Sequence, residues 1–512
     1  MITTPKYTFL FLFLYLFLNA TNLTAQEDIV ELLPSADKLF YNEQTKIHVL
    51  TGGVRFLYQN NPFYCDSALY NKEDKWFRAY GNVHCIYKKE INIFSDSLYY
   101  VQKKDLAKLW GNVKIRDHEY KISSDSMDYD FKRKCAIYSN NGFVESITSN
   151  ESIKSVHGYI YPDSKNFYFK GDVEYVKNNM KMNSDTLRFS YSTQTAHFFG
   201  STKIQYNNAK MFCKKGWYNV KKDEGILKDS ALVIKGGQKI LGDSISYNGM
   251  DSITIAYGNV VATDSSSNMC FNSDKALYNE KLSSTSLTGN VCALKVRKRD
   301  TLIIQSDTII NFSDTVNKKE YTKAYRRVEF VSKDLDGKCD SMYIDSNILN
   351  LFYNPILWSK NGEIKGKNIN VFYLDSIIDS ILIKEDASIL FELDSGNYYN
   401  QLSGRQIVSK FNAKNELTKS YVSGNAWTIF YPEEEEKTDT SIVIKRMGLN
   451  RLYSSDIRVD LDSGKVVGVS YIDNPDGIFY PMDKIKSKEK FINGFSWNPA
   501  LRPKKMFCLF PE

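Results

Sequence analysis

The residues of this chain whose spacing suits chemistry are its carboxylates. Asp37, Asp66, Asp96, Asp185, Asp243 and Asp274 each stand fifteen positions ahead of a glycine, at Gly52, Gly81, Gly111, Gly200, Gly258 and Gly289. Recurring carboxylates can hold Ca²⁺, or act in pairs as acid and base on a glycosidic bond. In a two-strand repeat, successive Asp residues would lie about 9–10 Å apart, too far for two of them to chelate one ion. The glycine-rich Ca²⁺ nonapeptide of β-roll repeats is missing as well. Carboxylate pairs occur everywhere in such a repeat, so none of them singles out a hydrolase. His48, His84, His118, His157 and His197 lack ligand spacing, and no nucleophile elbow, P-loop or dinucleotide fingerprint is present. The expectation is a structural Asp column, with no enzyme activity, no cofactor and no metal.

The words around these residues repeat too. CDSALY, SDSLYY, SDSMDY, SDTLRF and GDSISY accompany the Asp; AYGNVHC, LWGNVKI, FKGDVEY and LTGNVCA accompany the Gly. Segments dense in Ile, Val, Tyr and Phe alternate with polar turns at 71–75, 102–105, 130–134, 192–195 and 249–252. Each repeat of about thirty residues therefore reads as two antiparallel strands, and the fold class as all-β, a repetitive antiparallel folded sheet.

Side-chain parity predicts where it folds. Ala107, Leu109, Val113 and Ile115 share one face with Gly111, whereas parity flips across Asp96, with Ile91 and Ile93 inward before it and Leu98 and Tyr100 inward after it. An odd step between residues on one face requires a bulge or corner. Corners aligned at Asp66/Gly81, Asp96/Gly111, Asp185/Gly200, Asp243/Gly258 and Asp274/Gly289 would crease the sheet into two leaves. Each Asp carboxylate is assigned to backbone N–H groups freed at the corner. Ser95, Ser97, Ser124, Ser126, Ser184 and Thr186 are placed on the outer face.

Two leaves joined at a crease enclose a trough. Its inward lining is read as Ile93, Leu98, Tyr100, Leu109, Val113, Ile115, Phe167, Phe169, Val173, Leu187, Phe189, Phe198 and Ile204. If the trough closes fully it is a core; if it stays partly open it suits long acyl chains whose polar headgroups face water.

Lys6, the apolar run 7–18 and small residues to Ala25 read as a secretory signal, residues 1–25. Regular repeats are expected over 26–340, degenerate ones over 341–470, and a cap or docking segment over 471–512. Gly366-Lys367 and Gly404-Arg405 sit where Ser-Asp would be, and Glu433 to Glu436 are read as a solvated loop. Cys65 and Cys339 fill a slot before the Asp that asks only for a small residue, so no bridge is required there. A Cys65–Cys85 pair stays open, and Cys292 lies in the strand after a Gly-Asn. The formal charge of +7 fits contact with anionic headgroups and is far from the dense basic patches of a nucleic-acid binder.

The words G-N-V and A/S-D-x-φ-x-Y, with φ apolar, in an exported all-β chain resemble the OstA-like family, clearly from Asp28 to Asp340 and more weakly to about residue 470. This is the domain type of periplasmic lipopolysaccharide-transport proteins and of the N-terminal domain of an outer-membrane translocon. The resemblance implies a folded β-jellyroll in the periplasm, associated with the outer membrane, that carries lipopolysaccharide with its acyl chains between the leaves. It also implies strand-to-strand docking with other OstA-like domains and a translocon. The chain has more repeats than a single domain of that family and lacks a recognisable C-terminal barrel. Two other readings remain: an exported β-solenoid that binds polysaccharide, and an outer-membrane β-barrel, against which the polar outer face argues.

Overall fold

The computed structural model describes residues 30–32, 35–58, 60–265, 268–296, 300–314, 319–345, 347–374, 377–393, 396–437, 442–462, 465–504 and 508. The expected leader, residues 1–25, lies outside them. Packing divides the chain into two units, Met1–Ser192 and Thr193–Glu512. Both are all-β and antiparallel, as the repeat predicts.

In the first unit each long strand from Ile47 to Asp130 pairs with the next in sequence. Ile47–Tyr58, Asn61–Asn71, Trp76–Tyr87, Ile91–Val101, Leu106–Arg116 and Tyr120–Asp130 form one meander. The meander continues through strands broken at their middles, Cys135–Tyr138 with Gly142–Ser146 and Glu151–Ser155 with His157–Tyr161, to Asn166–Lys177 and Met180–Ser190. The turns alternate. Wide ones lie at 72–75, 131–134 and 162–165, and the first two are held by Asx caps: Asn71 Oδ1 accepts the Asp74 N–H at 2.8 Å and Asp130 Oδ1 the Arg133 N–H at 2.9 Å. Tight ones lie at 88–90, 117–119 and 178–179. Every strand thus runs from a tight-turn edge, across the crease, to a wide-turn edge.

The crease has a definite backbone form. Gly81-Asn82, Gly111-Asn112, Gly258-Asn259 and Gly289-Asn290 all take positive φ at both residues. Trp110 pairs with Ser126 and Val113 with Ser124, so Gly111 and Asn112 together face the single residue Asp125. The two-against-one count of a bulge therefore falls on the Gly strand, and the parity flip on the Asp strand. The flip is where the sequence places it: in Met180–Ser190 the buried residues are Met180, Met182 and Ser184, then Leu187 and Phe189.

The second unit repeats this plan from Thr195–Tyr206 through Leu417–Phe430, Gly448–Asp462 and a last broken strand, Lys465–Ile472 and Asp476–Pro481. The acidic run is not a loop. Glu433–Lys437 pairs with Ile442–Arg446 in a separate two-stranded sheet, inserted between Leu417–Phe430 and Gly448–Asp462, which pair directly with each other. The Arg446 guanidinium, 3.0 Å from Glu433, offsets charge at its base.

After Pro481 the chain leaves the sheet and returns over a leaf's outer face. Parity marks Leu390, Ile429 and Tyr431 as outward, yet all three are buried, packed with Leu449 and Ile492 and flanked by Phe495 and Trp497. Polar anchors fix the strap. Fully buried Glu363 accepts the Asn498 N–H at 2.9 Å and the Trp358 Nε1–H at 3.1 Å. Arg502 Nε donates to Asp336 at 2.8 Å, and Gln401 donates to the Lys490 carbonyl at 2.7 Å. A disulfide joins Cys292 to Cys508.

Candidate functional site

The repeated Asp and Gly meet at the crease, but not through the backbone. The Asp96 carboxylate lies against the Cα of Gly111, in the space a side chain would fill, and accepts the Asn112 Nδ2–H at 2.9 Å. Asn82 donates likewise to Asp66 at 2.9 Å, Asn259 to Asp243 at 3.1 Å and Asn290 to Asp274 at 3.0 Å. The carboxylate's partner in these clasps is therefore the neighbouring amide, not the freed backbone N–H groups, because two left-handed residues turn the Asn side chain back over the Asp. A backbone donor does serve at one corner, where Gly424 N–H reaches Asp456 at 3.3 Å.

Several corners carry no glycine and were missed for that reason. Asp229-Ser230, Arg326-Arg327 and Glu385-Asp386 adopt the same double positive φ. Opposite charge replaces the amide at each. Arg327 pairs with Asp307, Lys215 with Asp229 at 3.1 Å, and Lys367 with Glu385 and Asp386 at 3.6 and 3.5 Å. Lys367 and Arg405 indeed occupy the Asp slot. The signal that could have found these corners is the spacing near thirty residues combined with inverted charge.

The slot before the Asp faces inward. Ser95 and Ser184 are buried and not on the outer face; Ser95 Oγ donates to the Ser97 carbonyl at 3.0 Å and Ser184 Oγ to that of Thr186 at 3.1 Å. Ser124 Oγ donates to the Ser126 carbonyl at 3.0 Å in the same way. This hydroxyl satisfies a carbonyl that the corner removes from the ladder. Cys65 and Cys339 fill the same slot, buried and unbridged, and Cys85 is also a free thiol. Burial pushes all three thiols up to about 12.

Of the side chains read as inward, Leu98, Tyr100, Leu109, Val113, Phe167, Phe169, Val173, Leu187, Phe189, Phe198 and Ile204 are buried, while Ile93 and Ile115 are half-buried. The first unit brings some of these together. Ile93, Leu98, Tyr100, Leu109, Ile115 and Phe167 line one apolar cleft between the leaves. Phe63, Phe77, Ile122, Tyr129 and Phe131 complete the wall, and Glu119 and Lys165 stand at its rim. Phe169, Val173, Leu187 and Phe189 pack elsewhere as closed core. In the second unit, smaller side chains, Ala256, Ala262 and Ala276, border a second and more polar cleft.

Ion pairs mark the mouth of the first cleft. Asp163, in a wide turn, lies 3.2 Å from Lys88 Nζ in a tight turn and 3.1 Å from Lys134 Nζ in the adjacent wide turn. Lys165 reaches Glu119 across the same gap at 3.0 Å. Hydrogen bonds from Lys134 and Lys88 hold the Asp163 carboxyl below the usual carboxylate range, and the bond to Asp163 raises Lys88.

Among the described residues, no group of three or more His, Cys, Asp and Glu is placed to hold a metal ion. No helix among them is long and apolar enough to cross a membrane.

A creased antiparallel sheet with an apolar interior and repeated Asp–Gly corners defines a class, the OstA-like β-structure of lipopolysaccharide transport. Comparison with family models agrees. The OstA-like protein model matches residues 27–185, and the LptA/(LptD N-terminal domain) LPS transport protein model matches residues 152–253 and 271–375. Over those residues the chain belongs to the OstA-like family. No curated protein matches it.

Proposed function

We propose that this protein is a periplasmic lipopolysaccharide-binding bridge component that holds acyl chains between its two leaves during outer-membrane assembly. The observation that carries this reading is the first unit's cleft, whose wall is apolar on both leaves and whose rim is charged. Acyl chains gain from leaving water along such a wall, by about 0.8 kcal/mol per buried CH₂, while phosphates and sugars stay at the mouth. The role is binding and transfer, not catalysis. The family matches support a lipopolysaccharide-transport context.

Partners of the same fold would dock at the sheet's ends. Lys38–Asn42 has one paired strand neighbour among the described residues and exposes Leu39 and Phe40 to 60% and 63%. Lys465–Ile472 and Asp476–Pro481 expose Val467 and Ile478 to 66% and 56%. Unpaired edges with apolar outward residues favour strand addition by another OstA-like domain or a translocon.

In-cell photo-crosslinking tests the reading. A probe at Ile93 or Ile115 is expected to capture lipopolysaccharide and one at exposed Lys114 to capture none. Equal capture at all three, or none at any, would reduce the cleft to a packing defect.

A further inference from the structure

We infer that Lys88, Lys134 and Lys165 form a phosphate-binding site at the mouth of the first unit's cleft, and that Asp163 and Glu119 occupy it as internal stand-ins until an anionic headgroup displaces them. The inference rests on the acyl-binding reading above and adds to it the headgroup chemistry and a closure.

The geometry comes first. Lys88 lies on the tight-turn edge and Asp163 on the wide-turn edge, so their 3.2 Å contact ties together the edges of the two leaves opposite the crease. The 3.0 Å Lys165–Glu119 contact does the same, and both of its residues line the cleft. The second unit repeats the arrangement on its own edges, where Lys235 reaches Glu280 at 2.8 Å, Lys295 reaches Glu320 at 3.6 Å and Asn415 donates to Asp334 at 2.7 Å. A contact that recurs between the same two edges is a feature of the fold and not an accident of one loop.

Charge selects the occupant. The ammonium groups of Lys88 and Lys134 converge on Asp163, and Lys165, two residues further along the same turn, stands at the rim of the apolar wall, so a ligand that satisfies both parts carries acyl chains and one or more phosphates. Lys88, Asp163, Lys134 and Lys165 keep about half of their side-chain surface in water. Ion pairs so exposed are weak and exchange readily, and a phosphate with three acceptor oxygens can replace one carboxylate on two lysines. The amphiphile would open the mouth by taking over the lysines that close it, so neutral amphiphiles would enter less readily.

The test compares two fluorescent amphiphiles of equal chain length, one with a phosphate monoester headgroup and one with an uncharged sugar headgroup, on the full chain. Wild type is expected to favour the phosphorylated probe by about tenfold. Lys88→Gln with Lys134→Gln should abolish that preference and speed entry of the uncharged probe. Asp163→Asn should strengthen binding of the phosphorylated probe alone. Inorganic phosphate at equal concentration should neither compete nor open the mouth. Unchanged selectivity in the lysine variant, with both probes still binding, overturns the headgroup site and leaves the cleft reading intact. Failure of both probes to bind wild type overturns the cleft reading itself.

Discussion

A methyl group at Gly111 would overlap the Asp96 carboxylate, and the residue's φ of +71° resists any L side chain. Gly111→Ala is therefore expected to cost about 2 kcal/mol, through strain and a displaced clasp. Asn112→Ala, which removes one exposed charge-assisted bond, should cost about 1 kcal/mol or less. Hydrogen exchange in Ile91–Val101 and Leu106–Arg116 reads both, with the larger loss of protection expected for the glycine. The buried thiols give a second residue-level outcome. With Cys65, Cys85 and Cys339 raised to about 12 by burial, none is a thiolate at pH 8. Iodoacetamide should label them only after unfolding. For Asp163 the shift is downward, so its native pairs stabilise the fold above the ordinary carboxylate range and are lost as pH falls through the lowered native value.

Among the elements, the strap from Met482 to Arg502 is the one that side-chain periodicity does not announce. Ile492→Ala should destabilise the packing on Leu390, Ile429 and Tyr431 by about 2–4 kcal/mol. The loss should show as faster exchange in Tyr399–Phe411 and Leu417–Phe430, with Thr195–Tyr206 unchanged. The edge strand is a separate matter. Val467→Lys with Ile478→Lys should leave the melting temperature within about 2 °C and abolish pull-down of an OstA-like partner domain, because both residues point into water. Strands, turns and the parity flip were legible because period-two alternation and Asx-capped turns are local signals. Clasp partners and glycine-free corners were not, since they depend on what faces a residue across the sheet. The acidic run misled because charge suggests solvent, yet Glu433 and Arg446 face each other on adjoining strands. The strap's segment was legible as a break in the repeat, but its seat was not, because the face that Ile492, Phe495 and Trp497 cover carries ordinary outward positions.

On the scale of the molecule, near-neighbour pairing makes stability a sum over repeats, so unfolding should not be a single two-state transition. Urea titration followed by exchange mass spectrometry is expected to resolve at least two steps, within Met1–Ser192 and within Thr193–Glu512. Reducing agent should lower the midpoint of the second alone, since both bridged cysteines lie there. Coincident loss of protection throughout both units would show instead one cooperative block.

The bridge from Cys292 to Cys508 also imposes an order in time. Each repeat can zip onto its predecessor as it emerges, but the thiol at residue 292 must wait for a partner 216 positions later. At synthesis rates of about 5–20 residues per second, that delay is roughly 10–40 s. Throughout it, half-buried Cys270 is the nearest competing thiol in sequence. The second unit is thus exposed to misoxidation for as long as its own tail is in transit, and an isomerase should raise its yield while leaving that of the first unit unchanged.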